Sequence, residues 1–167
     1  LILINPTGIT FGENASLNIG GSFMGTTAES IKFSDGTEFN ATNNDTPLLT
    51  VSVPIGLQFG NQGGGNIEVN NTYLEVNPGK TLALVGGNIN IEGSYIFSES
   101  GRIELGSVSA NEFVGITSTN TGWILDYSSA NNFQDINLAE ETGLDTSSYS
   151  GGAGGAFQLQ GKQIRLT

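Results

Sequence analysis

Two segments of this chain repeat each other 22 residues apart. Gly64-Gly65-Asn66-Ile67-Glu68-Val69 is followed by Gly86-Gly87-Asn88-Ile89-Asn90-Ile91, and Tyr73 is followed by Tyr95 at the same spacing. Within each repeat, three short apolar-polar alternations are separated by Gly, Asn, Ser or Pro, as in strands with one buried face. A unit this short cannot bury its apolar face alone, so successive units must stack. The pattern therefore predicts an all-β, parallel β-helix with three strands and about 20–22 residues per coil.

The repeat also divides the chain. We interpret 1–167 as a single β-helical domain, with regular coils at 66–108 and later coils at 135–167. In the later coils, Phe157 is predicted to follow Ile136 by one turn, and Ile164 to follow Leu144. The 22-residue repeat is absent from 26–62, which we predict to be an antiparallel excursion outside the helix.

Local signals refine this division. Asp35-Gly36 lies between two alternating runs, which is typical of a hairpin with a type I′ turn. A further strand is predicted at 16–23. The chain opens within a strand at Leu1 and stops within one at Thr167, so we expect it to be a fragment that lacks the first coils, with the solenoid continuing beyond it.

The charge excludes some functions. The chain has 16 acidic residues, 5 Lys and Arg, no His and no Cys, for a net charge of −11. A nucleic-acid partner is therefore not expected, because phosphates need a basic face. Polysaccharide-cleaving β-helices need clustered carboxylates and cations. Here Glu68, Glu75, Glu92 and Glu104 alternate with apolar residues and are predicted to point to solvent. We expect no enzyme, no cofactor and no metal site.

Several segments together resemble a known family. Leu3-Ile4-Asn5-Pro6-Thr7-Gly8-Ile9 resembles the Asn-Pro-Asn-Gly-Ile box of the secretion domain of filamentous haemagglutinin-type two-partner secretion exoproteins of Gram-negative bacteria. The chain departs from the box at Thr7, where the family usually has Asn. Three further segments, which look closest to cyanobacterial members, are Ser30–Phe39, Val53–Gly60 and Pro78–Gly87, and a fourth is Gly101–Val108.

The resemblance implies a structure and a route. It implies a right-handed parallel β-helix with extra-helical antiparallel strands, exported by the Sec pathway through the periplasm. There the POTRA domains of a dedicated outer-membrane β-barrel transporter would recognise the chain. It would then cross the barrel unfolded, fold outside and template the coils that follow. Downstream regions would serve in adhesion to host or neighbouring-cell glycans or surface proteins, and the family has also been linked to haemagglutination by carbohydrate binding.

Two sets of candidate site residues follow. Asn5, Pro6, Thr7, Gly8 and Ile9 form the box, whose chemistry is that of a turn, so it could contact the transporter or only hold a corner. A carbohydrate-binding module is the alternative function, and its candidate aromatic platform is Trp123, Tyr127 and Phe133. The same rings could instead cover the open side of a core. A loose calcium site is a further hypothesis, with the candidate ligands Asp126, Asp135, Glu140, Glu141 and Asp145.

Overall fold

The computed structural model describes residues 1–43 and 51–167, and over these ranges the chain is all-β. In chain order the strands are β1 (Ile2–Ile4), β2 (Ile9–Phe11), β3 (Phe23–Thr26), β4 (Ser30–Phe33), β5 (Glu38–Asn40), β6 (Pro54–Gln58), β7 (Ile67–Asn70), β8 (Tyr73–Glu75), β9 (Thr81–Gly86), β10 (Ile89–Glu92), β11 (Tyr95–Phe97), β12 (Arg102–Ser107), β13 (Phe113–Thr119), β14 (Gly122–Asp126), β15 (Asp135–Ala139), β16 (Gly143–Asp145), β17 (Ala156–Gln160) and β18 (Gln163–Leu166). Within these ranges no helix is long and apolar enough to cross a membrane.

Three of the four sheets are parallel. The first has the strand order β1-β3-β9-β12-β17, the second β2-β7-β10-β15-β18 and the third β8-β11-β16. Coils such as β7-β8-β9 and β10-β11-β12 visit the second, third and first sheets in turn. This is the course of a parallel β-helix with three strands per coil, so the predicted fold class is confirmed.

The register confirms the 22-residue repeat in two of the sheets. Ile67 lies opposite Ile89, and Tyr73 lies opposite Tyr95. In the first sheet Arg102 lies opposite Thr81, so that step is one residue shorter.

The later coils are longer than predicted. Phe157 lies opposite Ile103, and Ile164 lies opposite Ile136, so the predicted one-turn relations of Phe157 to Ile136 and of Ile164 to Leu144 are wrong. The cause is the loop between β16 and β17, which lengthens that coil. The predicted strand at 16–23 is also wrong, because within it only Phe23 belongs to a strand, β3.

The fourth sheet is antiparallel and lies outside the helix, with the order β14-β13-β6-β4-β5. The predicted hairpin is β4-β5, but its turn is not type I′. The Gly36 N–H donates to the Phe33 carbonyl, and Gly36 has a φ of 83°, whereas Asp35 has no positive φ. This is the three-residue hairpin in which one glycine takes the left-handed position. The pair β13-β14 was not predicted from the sequence.

The apolar residues form two cores. The larger fills the β-helix with inward side chains of the three parallel sheets, among them Ile67, Leu74, Leu84, Ile89 and Ile103. The second lies between the outer face of the first sheet and the antiparallel sheet, where Met24 and Val85 meet Leu57 and Val114.

Because of this second core, the central strands of the first sheet, β3, β9 and β12, are buried on both faces. Every residue of β9 is buried, which explains its continuous apolar run Leu82-Ala83-Leu84-Val85. Such runs are typical of strands covered on both sides, whereas half-exposed strands alternate.

Glu104 corrects a sequence-based expectation. It does point out of the helix, but the antiparallel sheet covers it completely, leaving 0% of the residue exposed. Its Oε1 accepts hydrogen bonds from Arg102 Nε at 2.5 Å and from the Leu125 N–H at 3.3 Å. Burial nevertheless raises the pKa of this carboxyl, because desolvation outweighs the neighbouring guanidinium.

We predict that Glu104→Gln raises the free energy of unfolding relative to the wild type as the pH increases. A carboxyl whose folded pKa is raised stabilises the fold below its unfolded pKa and loses that contribution as the pH rises through the folded pKa. Glutamine keeps the acceptor oxygen without the charge. Urea titrations at pH 4 and pH 8, followed by the fluorescence of the single Trp123, give the comparison. An equal difference between the two proteins at both pH values would contradict the prediction.

Candidate recognition site

The segment Asn5–Gly8 forms a tight turn between β1 in the first sheet and β2 in the second. The Gly8 N–H donates to the Asn5 carbonyl at 3.2 Å, which closes the turn. The Asn5 side-chain oxygen Oδ1 accepts from the Thr7 N–H at 3.2 Å and from Thr7 Oγ1 at 2.8 Å. All three hydrogen bonds join residues two or three positions apart. The turn therefore holds its shape through its own residues.

The turn also stacks on the next corner of the helix. The Gly65 N–H donates to the Pro6 carbonyl at 2.8 Å, and the Ile9 N–H donates to the Asn66 carbonyl at 3.1 Å. A Cβ atom added at Gly65 would lie 2.2 Å from the Thr7 carbonyl oxygen. Only glycine permits this approach of the two backbones.

The following corner repeats the arrangement. The Gly87 N–H donates to the Gly65 carbonyl at 3.1 Å, and a Cβ at Gly87 would lie 2.4 Å from the Gly64 carbonyl oxygen. The repeated Gly-Gly-Asn of the sequence is thus a column of stacked corners, and Asn5–Gly8 is the member of that column that precedes Gly64–Asn66.

The box residues differ in exposure. Asn5 and Thr7 are exposed, Pro6 and Gly8 are half-buried, and Ile9 is buried in the helix core. Asn5 and Thr7 therefore face solvent, while Ile9 fixes the turn to the folded coil.

One residue of this site was missed in the sequence. Thr27 is buried where the chain leaves the first sheet, and its Oγ1 donates to the Gly65 carbonyl at 2.8 Å and accepts from the Gly87 N–H at 3.3 Å. It bridges two stacked corners. The threonine lies outside the repeat, and no spacing in the sequence distinguishes it, so only the fold identifies it.

The structure brings together two of the three aromatic residues proposed as a sugar platform. The rings of Tyr127 and Phe133 are 6.5 Å apart, and both pack in the second core together with Trp123. Tyr127 is buried, so its ring is covered rather than open to a ligand. Trp123 is half-buried, and its backbone N–H donates a hydrogen bond to Thr81 Oγ1 at 3.1 Å.

Three of the five candidate calcium ligands, Asp126, Asp135 and Asp145, have partners within the protein. Asp135 pairs with Arg165 at 2.8 Å, and Asp126 accepts from the Ser128 N–H at 2.9 Å. Hydrogen bonds from Ser147 and Tyr95 hold the pKa of Asp145 below its ordinary value. Across 1–43 and 51–167, no group of three or more His, Cys, Asp or Glu could hold a metal ion.

The comparison with protein families identifies the family of the chain that carries this turn. The family model of the TPS secretion domain matches residues 1–159. The chain belongs to the TPS secretion domain family. No curated protein sequence and no solved structure matches it.

Membership of the TPS family confirms the resemblance to filamentous haemagglutinin-type domains. The chain is the secretion domain of a two-partner secretion exoprotein, which is exported through the periplasm to the cell surface or the extracellular space. Its partner is a cognate outer-membrane TPS transporter. The family is associated with secretion and adhesion and is not known as enzymatic.

Proposed function

We propose that the turn Asn5–Gly8, with Ile9 as its anchor, is the element of this TPS domain that the POTRA domains of the transporter engage in the periplasm. We further propose that the same turn starts the column of corners when the domain folds outside the cell. The domain then acts by being recognised and by nucleating the β-helix, without catalysis.

The observation that carries this proposal is the local character of the turn. Its three internal hydrogen bonds join Asn5 to Thr7 and Gly8, so they can form before any other coil exists. A chain that crosses the periplasm unfolded has no sheets or cores to present. A turn built from neighbouring residues is a feature it can present in that state.

The folded state supports the second half of the proposal. The Pro6 carbonyl accepts a hydrogen bond from the Gly65 N–H, and the Gly65 carbonyl accepts one from the Gly87 N–H. Each corner thus offers the acceptor that the next one needs. As each coil is added, its glycine corner can therefore stack on the corner before it, starting from Asn5–Gly8.

Asn5 offers a sharp test of recognition. We predict that Asn5→Ala lowers transporter-dependent secretion about tenfold, because the loss of two hydrogen bonds to Asn5 Oδ1 costs about 1–2 kcal/mol of turn stability. Asn5→Asp retains the acceptor oxygen and is expected to secrete like the wild type. The measurement is the amount of domain in the medium of a Gram-negative host, with and without the cognate barrel.

The outcomes separate two ways in which the transporter could recognise the turn. Loss of secretion in Asn5→Ala alone supports recognition of the turn conformation. Loss in both variants shows that the transporter reads the Asn5 amide group itself. Secretion that is unchanged in Asn5→Ala, or retention of the wild type in the periplasm with the barrel present, would overturn the proposal.

Two finer expectations stay predictions. One is that downstream regions of the exoprotein bind glycans or surface proteins, and the other is the closeness to cyanobacterial members. A carbohydrate-binding role for this domain itself gains no support from Trp123, Tyr127 and Phe133, because they pack in the second core.

A further inference from the structure

Two tyrosine hydroxyls meet at one carboxylate oxygen on the outer face of the third sheet. Tyr95, in β11, donates its hydroxyl to Asp145 Oδ2 at 2.6 Å, and Tyr149 donates its hydroxyl to the same atom at 2.9 Å. Asp145 ends β16, the neighbour of β11, whereas Tyr149 lies in the loop between β16 and β17. The two phenol rings therefore converge at their hydroxyl ends. The transport role of Asn5–Gly8 does not account for this arrangement.

Contacts at three points hold this arrangement in place. The Tyr149 N–H donates to Glu99 Oε1 at 3.1 Å, and the Tyr149 ring packs edge-on against Phe97 with ring centroids 5.7 Å apart. The carboxylate is also fixed, because Asp145 Oδ1 accepts from the Ser147 N–H at 2.7 Å. The loop thus positions the hydroxyl of Tyr149 before any reaction takes place.

Both rings are open to solvent. Tyr149 is 72% exposed and Tyr95 is 37% exposed, whereas Tyr127 is buried in the second core. The hydrogen bond to Asp145 raises the pKa of Tyr95 to about 12. Tyr95 therefore keeps its hydroxyl proton at neutral pH, and a dissolved oxidant can reach both phenols.

We propose that Tyr95 and Tyr149 are a modification site at which hydrogen peroxide, with a peroxidase as catalyst, joins the two side chains as dityrosine. Each phenol loses one electron and its hydroxyl proton, which gives two phenoxyl radicals. The radicals form one carbon–carbon bond between the ring carbons next to the two hydroxyls, and the hydrogens on those carbons then restore the hydroxyls. Overall, two C–H bonds are replaced by one C–C bond, and hydrogen peroxide takes up the two hydrogen atoms to become two water molecules.

The geometry selects Tyr149 over Tyr73 as the partner of Tyr95. The rings of Tyr73 and Tyr95 stack with their centroids 5.7 Å apart and their planes within 6° of parallel. The new bond lies in the planes of the rings that it joins, and a stacked ring lies above the plane of its neighbour. Tyr149 instead meets Tyr95 where the reacting carbons lie, beside the hydroxyls.

The cross-link would fasten the loop between β16 and β17 to the preceding coil. The chain contains no Cys, so no disulfide can form between these segments. A dityrosine bond restricts the unfolded chain as a disulfide does, and it is therefore expected to raise the midpoint of urea unfolding.

Peptide mapping tests the proposal on the full chain. The protein is treated at low concentration with a peroxidase and hydrogen peroxide, then unfolded and digested with trypsin. Cleavage after Lys and Arg places Tyr73 in 33–80, Tyr95 in 81–102, and both Tyr127 and Tyr149 in 103–162. We expect dityrosine fluorescence and a linked product of 81–102 with 103–162 whose mass is two hydrogen atoms below that of the two peptides together.

Phenylalanine variants identify the linked residues without removing a ring. Tyr95→Phe and Tyr149→Phe are each expected to abolish the linked product. Tyr73→Phe is the matched control, since Tyr73 is 47% exposed and also touches Tyr95, and its yield should stay within about twofold of the wild-type yield. Asp145→Ala removes the shared acceptor and should lower the yield about tenfold.

Four results would overturn the proposal. They are the absence of any linked peptide, a link between 33–80 and 81–102, a link that survives in Tyr149→Phe, and cross-links that join only separate copies of the chain. Gel electrophoresis under denaturing conditions distinguishes the last case. Because no transporter is present, the result is independent of the proposed role of Asn5–Gly8.

Discussion

Gly65→Ala is expected to lower the free energy of unfolding by about 3 kcal/mol, the upper part of the range for forcing an extra methyl group into a packed site. The added Cβ would lie 2.2 Å from the Thr7 carbonyl oxygen and 2.6 Å from the Gly8 nitrogen. Both atoms belong to the backbone of the turn Asn5–Gly8, which cannot move aside as a flexible side chain would. The turn must move away from the next corner, and the Gly65–Pro6 hydrogen bond is lost with it.

The matched control for this variant is Gly12→Ala. Gly12 is exposed, has nothing within 4 Å of an added Cβ and has no positive φ. Its substitution should change the free energy of unfolding by less than about 0.5 kcal/mol. Urea unfolding of both variants gives the comparison. Equal stabilities would show that the corner column does not depend on close contact between the backbones at Gly65.

Glu112→Ala is expected to cost about 3 kcal/mol of stability. The side chain is buried, and its carboxylate accepts from the Asn131 N–H at 2.9 Å, the Asn132 N–H at 2.9 Å and Asn132 Nδ2 at 2.8 Å. A hydrogen bond to a charged group contributes about 1.5–3 kcal/mol, and its loss leaves buried donors without a partner. The variant should release the loop that returns the chain from β14 to β15.

The pH dependence expected for Glu112→Ala follows from the pKa of the Glu112 carboxyl. Burial acts to raise the pKa of Glu112, but the hydrogen bonds from Asn131 and Asn132 prevail and lower it. A lowered folded pKa stabilises the fold above the unfolded pKa, and this contribution is lost as the pH falls through the folded value. The stability difference between wild type and Glu112→Ala should therefore shrink below about pH 4.

An exposed glutamate provides the control. Glu13→Ala removes a carboxylate that is open to solvent, and it should change stability by less than about 0.5 kcal/mol. Guanidinium unfolding at pH 7 and pH 3 measures all three proteins. A Glu112→Ala protein as stable as Glu13→Ala at pH 7 would contradict the proposed anchoring of the loop.

The sequence by itself determined the β-helix and the box. Ile67 with Ile89 and Tyr73 with Tyr95 repeat because stacked coils place equivalent residues next to each other, so the period of the chain is the period of the structure. The turn Asn5–Gly8 was predictable for a related reason, since its hydrogen bonds are local and its residue types specify them.

Tertiary structure decided what lies outside the repeat. The β13-β14 pair joins the earlier hairpin only in space, because antiparallel pairing between distant segments leaves no fixed spacing in a sequence. The burial of Glu104 follows from that sheet, as alternation indicates only that a residue points out of the helix and not what covers it. The bridging position of Thr27 at the corners also depends on which coils become neighbours.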